Sequence, residues 1–327
     1  MISHEGVHAL SVMHDEPMIC EPNQSSQVRA EIFAHLRTVG AEGLQPEASQ
    51  LARMRTALAR VEHWPADEAY EQLTPVLCGR HPQAALQLMR ECGLLARLLP
   101  ELDATAELSH DADGRHKDVW EHTKIVVWQS VPQPSVRWAA ALHDIGKVPT
   151  RRLLPDGRVT FHNHAELGER MFEAGPATRI AFPAKLRSRI AELIRWHQRP
   201  GYYEAGWSDS AVRRFAREVG PALDELLNLS RADITSRIPG RRKQCLRSIS
   251  ELSRRIRALE LEDRKVDPLP AGLGRHLMSA FELAPGPAIG AMRARLQQLC
   301  AVGELEPGRA PEYYIEALRE RALRSQS

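Results

Sequence analysis

The sequence predicts an all-α fold, and three observations carry that expectation. Aromatic residues are only 5% of the 327, while Ala, Leu and Arg are abundant, which favours helix over strand. Apolar positions recur at three- and four-residue spacing through most of the chain. Pro, Gly and polar clusters interrupt those stretches at intervals that suit short helices. A chain of this length can bury a substantial core and hold more than one subdomain. The 43% hydrophobic and 26% charged content is that of an ordinary soluble globular protein. A formal net charge of +2 is too balanced to single out a polyanion partner. No apolar run approaches the ~18 residues that a membrane span needs. The five cysteines (Cys20, Cys78, Cys92, Cys245, Cys300) contain no CxxC pair and read as reduced thiols. The N-terminus lacks the apolar core of a secretion signal. A cytoplasmic location is the expectation.

Taken in order, residues 1–27 lack a clear period and read as a mobile leader. Helical signal starts near Val28 (Ile32, Phe33, Leu36) and resumes at Leu51 with Met54, Leu58 and Val61. Pro82 to Leu99 reads as two short helices broken at Gly93. After a polar loop, Ser109 to Lys117, Asp118 opens a helix with Glu121 three residues on, a capping-box spacing. Pro132-Gln133-Pro134-Ser135 is a turn, with Ser135 the expected N-cap of a helix over Val136–Ile145 and Gly146 its expected C-terminal glycine. Pro155-Asp156-Gly157-Arg158 suits the turn of a small hairpin. Further helices are expected at Ala165–Ala174, Ala184–His197, Ser210–Arg217 and Ala222–Thr235. Arg237 to Lys265 carries 10 basic and 4 acidic residues, and Leu269–Leu323 forms a last unit that ends in an amphipathic helix.

Three His-Asp dipeptides occur, His14-Asp15, His110-Asp111 and His143-Asp144, and only the last ends an apolar helical stretch. Helix positions fix a ligand's direction, as a metal site requires. His122 lies one turn past Asp118, His197 extends the stripe Leu186, Ile190, Leu193, Ile194, and Asp233 extends Leu223, Leu226, Leu227, Ser230. A carboxylate in an apolar stripe is costly unless it is paired or metal-bound. With His164, these residues are the equipment of a divalent-metal site. Each histidine alone is more simply a hydrogen-bonded core residue, and the set taken together favours ligation. The remaining histidines read as solvated or structural, and His162 stays open because it neighbours His164.

The ordered pattern His122, His143-Asp144, Asp233 resembles the HD superfamily of metal-dependent phosphohydrolases. Asp118-Val119-Trp120-Glu121-His122-Thr123, Ala141 to Lys147 and Phe161 to Gly168 resemble the HD domain of bacterial CCA-adding enzymes, the tRNA nucleotidyltransferases. Arg231-Ala232-Asp233, Leu94 to Leu102 and Pro285 to Gly290 are similar to other parts of that family's body. The resemblance implies an HD-domain helical bundle flanked by smaller helical subdomains. We divide the chain into a leader and short helix at 1–50, a helical segment at 51–103, the HD domain at 104–240 and a helical tail at 241–327. The family's nucleotidyltransferase head, with its Gly-rich loop and paired Asp, has no counterpart in the first ~50 residues, so nucleotide addition is not expected. In the third motif Ala165 separates His164 from Glu166, so Glu166 carries no weight as a site residue.

By the same resemblance, His122, His143, Asp144 and Asp233 would hold one ion and His164 and His197 a second, with Asp144 bridging. Mixed N/O ligation suits Mn, Fe, Ni, Co, Zn or Mg. Two ions about 3.5–4 Å apart can activate a water and clamp phosphate oxygens. The resemblance implies 2′,3′-cyclic phosphates, 2′-nucleotides and phosphomonoesters as substrates. Asp144 and Lys147 are the candidate catalytic residues, and Lys147, Arg151, Arg152 and Arg199 the candidate phosphate contacts. Lys147 reads equally well as a helix C-terminal lysine. The basic 237–265 stretch can follow an RNA backbone or be a solvated helix pair. Two competing readings are an RNA- or tRNA-binding module with a vestigial metal site and an HD-type di-iron oxygenase.

Overall fold

A computed structural model describes residues 22–109, 118–236, 238–263 and 267–324. His14-Asp15 and His110-Asp111 lie outside the described residues. The fold is all-α, with one two-stranded antiparallel ladder among the described residues. The chain divides into two compact units, one ending at Ile256 and the other beginning at Arg257. The first unit holds together segments that the sequence reading set apart at 51–103 and 104–240.

That unit starts with α1 (Pro22–Glu42), α2 (Ala48–Ala59), α3 (Ala66–Leu77) and α4 (Pro82–Cys92). Helix α1 begins within the span expected to be leader. Proline is tolerated at a first helical position and Gln24 and Gln27 are adequate helix formers, so a weak apolar period did not prevent a helix. Gly93, at φ 90°, separates α4 from α5 (Leu94–Leu98), as expected, and α6 (Pro100–Asp103) follows. Asp118 caps α7 (Val119–Gln129): its carboxylate accepts from the Glu121 amide at 3.0 Å.

Helix α8 (Pro134–Leu142) is the hub, packed by α3, α7, α12 (Ala184–Trp196) and α14 (Leu223–Asp233). Every residue from Ser135 to Leu142 is buried, as a helix enclosed on all sides requires. Trp138 is wholly buried, donates Nε1–H to Thr74 Oγ1 at 3.0 Å and meets the Phe182 ring edge-on. Ser135 does not cap this helix. Pro134 takes the first helical position, so the chain enters one residue earlier at Gln133 and carries Ser135 into the buried first turn.

Beyond α8 come the short α9 (Lys147–Thr150) and the expected hairpin, β1 (Arg152–Leu153) paired with β2 (Val159–Thr160). Next are α10 (His164–Ala174), the single turn α11 (Pro176–Arg179), α12, α13 (Asp209–Val219) and α14. Helix α15 (Arg241–Asp263) runs across the division at 256. The second unit contains α16 (Leu273–Phe281), α17 (Pro287–Ala301) and α18 (Pro311–Arg324) around Leu273, Leu277, Leu296, Leu299 and Tyr314. The four cysteines within the described residues are free thiols. Among the described residues, no helix is long and apolar enough to cross a membrane.

Candidate metal centre

Five element ends converge in the first unit. Helix α7 brings His122, the end of α8 brings His143-Asp144, the start of α10 brings His164, the end of α12 brings His197, and the last residue of α14 is Asp233. The four imidazoles surround one carboxylate, that of Asp144. Asp144 Oδ2 lies 3.2 Å from His143 Nε2 and 3.6 Å from His122 Nε2. Asp144 Oδ1 lies 3.4 Å from His164 Nε2 and 4.0 Å from His197 Nε2. Asp233 Oδ1 meets His122 Nε2 at 2.9 Å and His143 Nε2 at 3.6 Å. Two groups result, His122-His143-Asp233 and Asp144-His164-His197, each with ligand-type atoms within 4.8 Å of one another.

Backbone carbonyls set the ring tautomers. Nδ1 of His143, His164 and His197 lies 2.8, 2.8 and 2.7 Å from the carbonyls of Ala140, Phe161 and Ile194, each three residues back. A carbonyl only accepts, so each Nδ1 carries its proton and, in the neutral ring, each Nε2 presents a lone pair. His122 Nδ1 is held by the Thr235 hydroxyl at 2.8 Å.

This arrangement fits a cation. Nε2 of His164 and His197 face each other at 3.3 Å. Two lone pairs at that distance repel unless a positive charge sits between them. Two imidazoles on one ion with bonds of about 2.0–2.1 Å place their nitrogens about 2.9–3.4 Å apart for angles between square and tetrahedral. His143 Nε2 and Asp144 Oδ1 are buried without a hydrogen-bond partner. Each unmet buried group costs about 1–3 kcal/mol. The mixed N/O donor set suits a divalent transition ion or Mg.

Electrostatics separates the two groups. Burial opposes charge on Asp144, but the neighbouring His143 ring and the Lys147 ammonium hold its carboxyl well below the usual range. Burial likewise opposes Asp233, and His122 and His143 bring its carboxyl down. His143 is pushed down by burial and more than restored by Asp144, so its imidazolium is favoured. His197 goes the other way: burial, then the neighbouring His143 charge, push it down to about 4.

Gly146 is not a helix C-terminal glycine in the left-handed region, since its φ is −67°. It is needed because a Cβ there would sit 2.1 Å from the His164 carbonyl oxygen and 2.7 Å from the Gly168 amide. The His-Asp turn thus lies directly on the first turn of α10. Asn163, at φ 60°, turns the chain into that helix, a conformation Asn tolerates better than most residues. His162 and Glu166 are exposed.

The candidate phosphate contacts fall in different settings. Lys147 reaches inward: its ammonium lies 2.6 Å from Asp144 Oδ2 and 5.6 Å from the Phe161 ring centre. Arg151 and Arg152 are exposed, the first just before the hairpin and the second in its first strand. Arg199 pairs with Glu218 at 2.6 Å and stacks on Trp196 at 4.5 Å, so its guanidinium is already engaged. Sequence reasoning missed Thr235, whose only signal is its place two residues after Asp233.

Comparison with known proteins agrees with this geometry. Residues 81–238 match the HD domain. The HD-domain match thus takes in just under half of the chain, and the six clustered residues all fall within it. Residues 43–105 match the segment described as the probable RNA and SrmB-binding site of polymerase A. The chain is 29% identical to the A-adding tRNA nucleotidyltransferase of Deinococcus radiodurans, over 93% of this chain and 71% of that protein. It is 33% identical to the CC-adding tRNA nucleotidyltransferase of Thermus thermophilus, over 80% of this chain and 60% of that protein. It is 36% identical to the multifunctional CCA protein of Dechloromonas aromatica, over 46% of this chain and 37% of that protein. The chain therefore spans less than two thirds of the latter two relatives.

Proposed function

We propose that this HD-domain protein is a metal-dependent phosphohydrolase or phosphodiesterase that acts on nucleotides or RNA ends. One observation carries the reading: two groups of ligand-type side chains share the single carboxylate of Asp144. His122, His143, Asp144 and Asp233 would hold one divalent ion, and Asp144, His164 and His197 a second. Such ions supply an acidified water and charge neutralisation on phosphate oxygens. The protein's own part is mainly positioning. Three backbone carbonyls fix the imidazole tautomers, and Thr235 orients His122. Lys147, whose ammonium lies against Asp144, offers the nearest protein cation to a phosphate oxygen, with Arg151 and Arg152 further out. In the reaction a water oxygen bonds to phosphorus, the ester P–O bond breaks, and the leaving oxygen takes up a proton. The match at 43–105 and the relatives' names support RNA as the carrier of that ester.

The test measures bound metal, then turnover of bis-p-nitrophenyl phosphate and 2′,3′-cyclic AMP with Mn, Ni, Co and Mg. Activity is expected with at least one ion and is lost in the double variant His143→Ala, Asp144→Ala. Undiminished turnover in that variant refutes the assignment. The relatives' names favour a second reading, nucleotide addition to tRNA. Incorporation of labelled ATP or CTP into tRNA, with no ester hydrolysis, would establish it instead.

A further inference from the structure

We infer that α15 presents two different faces to one substrate, a single-stranded RNA end: one face receives the terminal nucleotide beside the metal ligands and the other follows the upstream phosphates. The inference rests on the hydrolase reading and narrows its substrate class.

The first face lines a cleft of about 470 Å³ that reaches His197 and Asp233. Asp233 is 29% exposed, whereas His143, Asp144, His164 and His197 are each at most 5% exposed. The cleft is therefore an approach to the buried cluster. Its far wall is Arg241, Gln244 and Ser248 of α15, and Tyr202 stands at its side with 65% of its surface exposed. Ligand clefts run from about 300 to 1,000 Å³, so this one suits a single nucleotide and not a duplex. A guanidinium, an amide and a hydroxyl offer hydrogen bonds to ribose and base edges, and an exposed tyrosine offers a stacking surface. Base–aromatic stacking contributes about 1–3 kcal/mol and tolerates any base.

The second face lines a broader hollow of about 960 Å³, with Lys243, Arg247 and Arg254 along one side. These residues are four and seven apart, so they form one helical stripe. Among the described residues, none of the three has an ion-pair partner, and Glu251 is the only carboxylate in the lining. Elsewhere in the first unit arginines are neutralised locally, as in Arg29–Glu68, Arg179–Glu101 and Arg189–Glu225. A stripe of uncompensated cations beside a one-nucleotide cleft is the electrostatic footprint of a phosphate backbone. A free mononucleotide would use the cleft and leave the stripe idle.

The test uses the metal-loaded full chain and three substrates: p-nitrophenyl phosphate, 2′,3′-cyclic AMP, and a short oligoribonucleotide ending in a 2′,3′-cyclic phosphate. Tyr202→Ala is expected to lower kcat/KM about tenfold for both nucleotide substrates and to leave p-nitrophenyl phosphate within twofold. The triple variant Lys243→Gln, Arg247→Gln, Arg254→Gln is expected to lower kcat/KM about tenfold or more for the oligoribonucleotide alone, with a shallower salt dependence. If the triple variant treats oligoribonucleotide and mononucleotide alike, the RNA-end inference is overturned while the hydrolase reading stands. If the wild type hydrolyses no phosphoester, the hydrolase reading fails, and fluorescence polarisation of a labelled oligoribonucleotide decides the inference separately. Binding weakened about tenfold in the triple variant then supports it, and unchanged binding or none overturns it.

Discussion

The two ligand groups meet on one carboxylate yet solve the problem of a buried charge differently. In the group of His122, His143 and Asp233, carboxylates balance imidazoles, and His122 already contacts Asp233 at 2.9 Å. Protons can hold that group together, because Asp144 and Asp233 favour the His143 imidazolium. The group of His164, His197 and Asp144 Oδ1 is arranged differently. His197 resists protonation down to about pH 4, and its Nε2 faces that of His164 at 3.3 Å. Proton sharing with carboxylates relieves the first group, whereas the facing imidazole nitrogens of the second are the feature that a cation would relieve. The difference teaches that buried imidazoles signal ligation most strongly where their protonation is suppressed.

The largest expected effect removes the feature that both groups share. Asp144→Asn keeps the shape but halves the donor character, and should strip both groups of metal and lower hydrolysis by about a thousandfold, roughly 4 kcal/mol of barrier. Metal analysis alongside initial rates measures it; half the wild-type metal content would show that only one group depends on the carboxylate. Gly146→Ala should come next. The new Cβ cannot fit against the His164 carbonyl, so the variant should lose about 1–3 kcal/mol of stability in urea unfolding and bind metal preferentially at the first group. An unchanged unfolding midpoint would contradict the close approach of these backbones.

Thr235→Val sharpens the contrast from the other side. It removes the partner of His122 Nδ1 and should cost about 10–100-fold in metal affinity at the first group alone. Calorimetric titration should resolve one weakened and one unaltered site; two equally weakened sites would remove the distinction between the groups. The smallest effect is on pH. The unfolded chain binds a proton on His197 below about pH 6.5 that the metal-free folded protein refuses until about pH 4. His197 therefore lowers metal-free stability as pH falls through that window. His143 acts with the opposite sign, stabilising below its unfolded value and losing that contribution as pH rises through its raised one. Denaturant midpoints in EDTA should show His197→Ala removing part of the decline between pH 6.5 and 4; an equal decline in both proteins would contradict the suppressed protonation.

Much of this was legible in the sequence. Helix-terminal positions announced His143 and Asp144, and apolar stripes pointed His197 and Asp233 inward, because burial of a polar residue leaves a periodic trace. Asp118 was legible as a cap because the donor it serves is only three residues away. What failed depended on contacts distant in sequence. Gly146 resembled a helix stop, but its requirement comes from α10, 18 residues on at His164. Ser135 failed for a nearer reason, since the adjacent Pro134 had already taken the first helical position. Thr235 had no local signature, since its partner His122 lies 113 residues away.

The three rings that bond a carbonyl three residues behind them have an evolutionary corollary. Each coordinating nitrogen is registered to its own short stretch of main chain, not to a distant support. The connecting segments can therefore lengthen, shorten or exchange sequence without disturbing the cage, as long as the anchoring triplets persist. A centre assembled in this modular way can be carried from one architecture to another, with new chemistry recruited by whatever surrounds its mouth.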